Sequence, residues 1–428
     1  MPLSCPHPVP SPASPAASAG FDTVIDRRGT ASLKWDAALE RGRPASALPL
    51  WVADMDHPTA PAVIEALTAR VAHGVFGYTQ PDAAYDAALT GWFRRRYDWE
   101  VEASWNVVTP GVVPALALAV RAFTRPGEAV VIEEPVYYPF REVVEDNGRV
   151  VASAPLVRGE DGVYRRDLVA LEAVFVSTGA RLMLLCNPHN PVGRVWSREE
   201  LEGLAALTAR LGVVVVADEI HADLALPGWR TIPFASVSPQ AAALTVACTS
   251  PSKAFNLAGL QVANILVPDD GLRAALRREL TACGYSQPAT LGLTACRAAY
   301  EHGEDWLDAL RAHVAAAGEY VTARLRAVPG VEVSPCEGTY LLWLDCHGLL
   351  EATGLGPADL DGFLLEEAGL WLDDGRMFGT GGDGFTRLNL ACPRPTLDEA
   401  LDRLEAAVAR LRRSRAGGAL DSDRADGG

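Results

Sequence analysis

Between Asn106 and Val267 the chain alternates short, unbroken apolar runs with longer segments whose apolar residues recur every three or four positions. The unbroken runs predict seven strands, at 106–109, 129–133, 150–154, 182–186, 213–217, 244–248 and 262–267. The periodic segments between them predict helices, among them 113–123, 167–177 and 197–211. A strand that is apolar without alternation is covered on both faces, as in an open, mostly parallel sheet. The expected fold class is α/β: a seven-stranded, mostly parallel sheet flanked by helices.

The flanks read differently. Segment 21–50 mixes charge with few periodic apolar positions and predicts an arm crossing the surface. The loop from Trp51 to Pro58 holds Asp54 and Asp56; it either lines a site or caps the next helix. That helix is predicted at 61–72, starting on Pro61 and laying Val63, Ile64, Leu67 and Val71 along one side. A glycine-punctuated turn follows, presenting Tyr78, and then a second helix at 83–96. After Pro268 come helices at 272–283, 291–301 and 306–328, strands at 331–334, 340–344 and 386–390, and helices at 357–368 and 396–411. These predict a smaller α+β domain. The expected organisation is a disordered leader over 1–20, an arm and small-domain segment over 21–60, a large domain over 61–305, a small C-terminal domain over 306–412 and a flexible tail over 413–428.

Composition narrows the setting. The 428 residues are 49% hydrophobic, ample for a large core. A net charge of −16 argues against nucleic acid as a partner. The eight cysteines form no CxxC pair, so neither a metal site nor a disulfide framework is indicated. The leader has no Lys or Arg and no apolar segment, unlike a secretory signal. No apolar run approaches the ~18 residues of a membrane span. A cytoplasmic protein is expected.

Ligands of open α/β sheets collect at the carboxyl ends of the strands, so the residues just past each strand belong together. After the first, Gly111-Val112-Val113 opens a helix whose free amides suit a phosphate. After the second stands Tyr137, an aromatic that either stacks on a planar ligand or packs in the core. After the fourth, Asn190 offers an amide. After the fifth come Asp218 and His221, and after the sixth Ser250 and Lys253, in a small-residue loop between two apolar runs. A buried lysine loses its proton more readily, and a neutral amine forms Schiff bases or takes up protons. Together these are the complement of pyridoxal phosphate, whose ring nitrogen needs a carboxylate and whose aldehyde needs an amine.

On these residues, together with Asp26–Thr30, Lys34-Trp35-Asp36, the loop from Trp51 and the segment from Phe385 to Arg394, the chain resembles fold-type I pyridoxal-phosphate enzymes of the class I/II aminotransferase superfamily. More narrowly it is similar to the MalY/PatB-type cystathionine β-lyase (C–S lyase) group. The resemblance implies pyridoxal phosphate as cofactor, a small amino acid as substrate and a homodimer with shared active sites. Lys253 would carry the cofactor and take the substrate's Cα proton. Asp218 would pair with the ring nitrogen, Asn190 with the ring's phenolic oxygen, and Tyr137 would stack on the ring. Ser250 and the amides of Val112 and Val113 would hold the phosphate. Tyr78 would reach into the neighbouring subunit's site, and Arg387 would clamp the substrate's α-carboxylate, its alternative being a surface salt bridge.

Two positions depart from the wider superfamily. His221 stands in place of a tyrosine and Gln261 in place of an arginine on the phosphate. The first favours the β-lyase group, with His221 either near the phenolic oxygen or simply packed; the second removes a cation. The implied reaction is α,β-elimination from L-cystathionine or another S-substituted cysteine, giving a thiol, pyruvate and ammonia. The alternatives are an aminotransferase, a C–S lyase dedicated to a specialised cysteine conjugate, and a protein that keeps the fold without turnover.

Overall fold

A computed structural model describes residues 20–425, with side chains as far as Arg413. The expected leader, apart from Gly20, lies outside the described residues. After a single helical turn (Leu33–Asp36) and a 3₁₀ turn (Leu39–Arg41) comes the first strand, β1 (Leu48–Pro49). Helices α1 (Pro61–His73), α2 (Ala83–Tyr97) and α3 (Val112–Phe123) follow, α2 capped by the Asp82 side chain on the Tyr85 amide. The apolar runs then form β2 (Asn106–Thr109), β3 (Ala129–Ile132), β4 (Val150–Ser153), β5 (Leu182–Cys186), β6 (Val214–Asp218), β7 (Thr245–Thr249) and β8 (Ala263–Leu266). They make one sheet in the order β2-β8-β7-β6-β5-β3-β4. Strand β8 is antiparallel to β2 and β7, and all other pairings are parallel. The mostly parallel α/β reading holds.

Successive residues of single strands show why the runs are unbroken. Val130 and Ile132 of β3, Leu182 and Leu184 of β5 and Val216 of β6 join Leu116 and Val120 of α3 in one buried cluster. Their neighbours Val131, Met183, Leu185, Val215 and Ala217 face the other way, onto Leu201 and Leu204 of the next helix, α4 (Arg198–Leu211). Both faces are dry, so no position along these strands can be polar at low cost. Each fully buried Val or Leu contributes about 1.5–3 kcal/mol.

The remaining chain adds α5 (Thr290–His302), α6 (Glu304–Leu325), β9 (Glu332–Val333), β10 (Leu341–Asp345), β11 (Leu370–Trp371), β12 (Asp373–Asp374), β13 (Phe385–Asn389) and α7 (Arg394–Ala425). Strands β9-β10-β13-β12 form an antiparallel sheet, while β1 pairs in parallel with β11, joining the arm to this part of the molecule.

Three expectations need correction. Segment 21–50 does not simply cross the surface: Phe21 is buried and Lys34 has no exposure at all. The ammonium of Lys34 donates to Asp56 Oδ2 at 2.8 Å, and Arg27 binds Asp54 and Asp56, so charge here ties the arm down. The helix expected at 357–368 is broken into a 3₁₀ turn (Pro357–Asp359), one α turn (Leu360–Gly362) and a wide turn (Phe363–Glu367). Phe363, Leu364 and Leu365 are all buried, which three consecutive side chains of a regular helix do not achieve against one surface. Beyond residue 413 the backbone continues α7 to Ala425, where a loose tail was expected.

Candidate active site

Six of the seven strands of the main sheet point the same way, so their carboxyl ends share one edge. A cavity of about 200 Å³ opens there. Val112 and Val113 line it from beyond β2, Tyr137 from beyond β3, Asn190 from beyond β5, Asp218 and His221 from the end of β6, and Ser250 and Lys253 from beyond β7. Strands β6 and β7 are adjacent, with Asp218 opposite Cys248. The acid therefore sits near the strand end from which the lysine's turn (Pro251–Ala254) departs.

Burial sets the chemistry of both groups. Asp218 is 3% exposed, and burial raises its carboxyl to about 7 against the weaker pull of the Ile220 amide and of Lys253. Burial brings Lys253 down to about 8, with Asp54 and Asp218 drawing it up and Arg387 pushing it down. Its Nζ donates to the carbonyl oxygen of Ala53 at 2.6 Å. The cavity thus offers a carboxylate short of a cation and an amine that sheds its proton near neutral pH.

At another wall α3 begins without a side-chain cap, and with Pro114 next the amides of Val112 and Val113 are the ones left to a ligand. Ser250 lines the cavity, but its hydroxyl hydrogen goes to the Val262 carbonyl at 2.7 Å while its oxygen accepts from the Ser252 amide. The Ser252 hydroxyl lines the same cavity and makes no hydrogen bond to the described residues. Gln261 also lines it, its amide turned onto the Ala258 carbonyl at 3.1 Å.

Arg387 is 2% exposed, so it is no surface salt bridge. It stands one contact behind the wall: Nη1 donates to Asn190 Oδ1 at 2.9 Å, and Nη2 to the Trp51 carbonyl at 3.1 Å and to Asp373. With its oxygen held by Arg387, Asn190 is left with its NH₂ as the group to offer a ligand. The backbone amide of Tyr137 donates to the Asn190 carbonyl at 3.0 Å, coupling these two wall residues. His221 is buried, and burial keeps its imidazole neutral, well below its usual range; its Nδ1 has no partner among the described residues. Tyr78 does not line this cavity: its side chain is 94% exposed.

Several residues of the site were missed in the sequence. Ala53 and Ser252 lie in loops the sequence singles out but were not named within them; Tyr340, whose hydroxyl donates to the Ala53 carbonyl, and Asp373, which accepts from Arg387, carried no recognisable pattern. One signal was available: the chain has only two lysines, Lys34, which is buried, and Lys253, which is half-buried on the cavity wall. In a chain with 36 arginines, a retained lysine marks a position where guanidinium will not serve.

The donor set fits a planar, phosphorylated pyridine aldehyde. A buried carboxyl raised by lack of a counter-charge, an orphaned imidazole nitrogen, two free helix amides and an amine line one space. Comparison with known proteins agrees. Residues 47–404 match the family described as aminotransferase class I and II. Cystathionine beta-lyase PatB of Bacillus subtilis is 43% identical, covering 91% of this chain and 99% of its own. Protein MalY of Escherichia coli is 36% identical, covering 92% and 99%. The crystal structure of cystalysin from Treponema denticola, which contains pyridoxal 5'-phosphate, superposes with a TM-score of 0.87 at 34% identity, covering 91% of this chain and 99% of its own.

Proposed function

The chain belongs to the class I and II aminotransferase family, and from that premise we propose that it is a pyridoxal-phosphate-dependent carbon–sulfur β-lyase. Its substrate is L-cystathionine or another S-substituted L-cysteine, which with water yields a thiol, pyruvate and ammonia. The observation that carries the reading is that Asp218, buried, and Lys253, half-buried, line one cavity from adjacent strand ends, with burial raising the acid and lowering the amine. The names of the relatives support β-elimination.

The cofactor, when bound, supplies a cationic ring that accepts the electron pair left at Cα, so that a thiol can leave from Cβ. Asp218 keeps the ring nitrogen protonated. Lys253 would hold the cofactor through its amine and would serve as the base for the substrate's Cα proton. The NH₂ of Asn190 would serve the cofactor's phenolic oxygen, and Tyr137 would offer its ring as a stacking face. The amides of Val112 and Val113 hold the phosphate, and Ser252 joins Ser250 there because its hydroxyl is uncommitted. Arg387 receives the α-carboxylate. Holding base and substrate together accounts for much of the rate.

The active unit in this proposal is a homodimer in which Tyr78 enters the partner subunit's site. Val71, Val75 and Phe76, exposed beside Tyr78, support a covered surface there. Among the described residues no helix is long and apolar enough to cross a membrane. The described cysteines are unpaired, which supports a cytoplasmic setting. The family description favours one rival, an aminotransferase that shares the proton abstraction but returns the proton elsewhere. Incubation with cystathionine separates the two. A lyase releases thiol and pyruvate in equal amounts without added keto acid; an aminotransferase needs the keto acid and releases no thiol.

A further inference from the structure

The carboxylate-binding arginine already has a carboxylate. Asp373 on β12 lies directly opposite Arg387 on β13 in the antiparallel register, so the sheet itself sets their side chains on one face. Both are buried, at 3% and 2% exposure, and Asp373 accepts from Nη2. The same guanidinium also serves Asn190 and Trp51 and lies over the Phe378 ring at 4.9 Å. Its Nε has no partner among the described residues. A two-pronged pair with an incoming carboxylate needs one whole edge of the guanidinium, and Asp373 holds part of it.

We propose that Asp373 competes with the substrate's α-carboxylate for Arg387, holding the arginine while the site is empty and retaking it as product leaves. This rests on Arg387 being the carboxylate receptor. Two buried carboxylates cannot share one guanidinium without a surplus negative charge. Capture of a carboxylate therefore favours the protonated form of Asp373, and affinity falls as Asp373 ionises with rising pH. Burial raises this carboxyl; Arg387 and the exposed Arg41 pull it down, and Asp361 pushes it up. Tyr137 and Tyr138 also face this group, both neutral because burial raises their hydroxyls. Asp373 is thus a positioning residue that tunes affinity and release.

The test uses cofactor-loaded protein and 3-(methylthio)propionate, a carboxylate without an amine, so that no substrate amine titrates. Binding is measured by calorimetry from pH 6 to 9 for the unmodified protein, Asp373→Asn and Arg387→Lys. The unmodified protein should bind more weakly as pH rises, taking up protons on binding. Asp373→Asn should bind about tenfold more tightly at pH 8, with that pH dependence flattened. Arg387→Lys should bind at least tenfold more weakly. If Arg387→Lys binds normally, Arg387 is not the receptor and the reading beneath the proposal fails. If Arg387→Lys is weakened but Asp373→Asn binds no more tightly, the competition is overturned. Loss of a buried counter-charge can unfold a chain. Should Asp373→Asn not fold, a pH-independent affinity in the unmodified protein overturns the proposal on its own.

Discussion

The ammonium of Lys253 and the hydroxyl of Tyr340 donate to one acceptor, the carbonyl oxygen of Ala53, at 2.6 and 2.9 Å. That acceptor cannot drift, because the Asn389 amide donates to the carbonyls on either side, Val52 and Asp54, both at 2.7 Å. The amine is thus docked on a rigid loop from the arm. Its proton is held by Asp54 and loosened by burial and by Arg387.

The neutral amine is the form that captures an aldehyde. Capture of pyridoxal phosphate by cofactor-free protein should therefore quicken as pH rises through about 8. Asp54→Asn removes the leading upward influence and should move that midpoint down by about half a unit. Stopped-flow absorbance across pH checks both; an unmoved midpoint would place the control elsewhere.

Asp218 makes the empty site costly. Its folded carboxyl sits at about 7 against an ordinary 3.8, so between these values the folded chain binds the extra proton. Stability from this group is present below about pH 4 and is lost as pH rises toward 7. Asp218→Asn should raise the melting temperature of cofactor-free protein by roughly 2–4 °C at pH 8 and change it little at pH 4. The same variant should hold cofactor at least tenfold more weakly. Thermal scans at both pH values, with and without cofactor, read the reversal.

The arm depends on a buried ion network. Asp56 accepts from Lys34 at one oxygen, at 2.8 Å, and from Arg27 and Trp35 at the other, at 2.8 and 2.9 Å. Removing one partner of such a network leaves an unpaired buried charge, which costs about 3–5 kcal/mol. Lys34→Ala should lower the urea midpoint accordingly.

Among the described residues that line the cavity Lys253 is the one cation, so in the proposed reading Gln261 leaves the phosphate to neutral donors. Gln261→Arg should slow cofactor loss about tenfold, measured by the decay of visible absorbance on dilution. Substitution by Met should not.

The strand ends were legible because β3, β5, β6 and β7 are apolar on both faces, and the residues that break each run mark its end. Lys253 was legible for the same reason, lying between two such runs. The burial of the arm was not legible because a charged segment with few periodic apolar positions looks solvated, and Asp56, the partner of Lys34, lies beyond a turn and β1. Asp373 and Tyr340 stayed hidden for a deeper reason. Their roles come from the β12–β13 register and from a hydrogen bond to the distant Ala53, neither of which leaves a periodic trace. Ser250 was legible only in part: sequence places it at the cavity, and geometry adds that its hydroxyl hydrogen goes to Val262 while its oxygen accepts from the Ser252 amide.

The central claim is that one amine, Lys253, carries the cofactor. Borohydride reduction of the loaded protein fixes the cofactor to that amine, and with two lysines in the chain peptide mapping has few places to find it. The account predicts a single label on the peptide containing Lys253 and none in Lys253→Ala. A label on Lys34, or visible absorbance and thiol release persisting in Lys253→Ala, would contradict it.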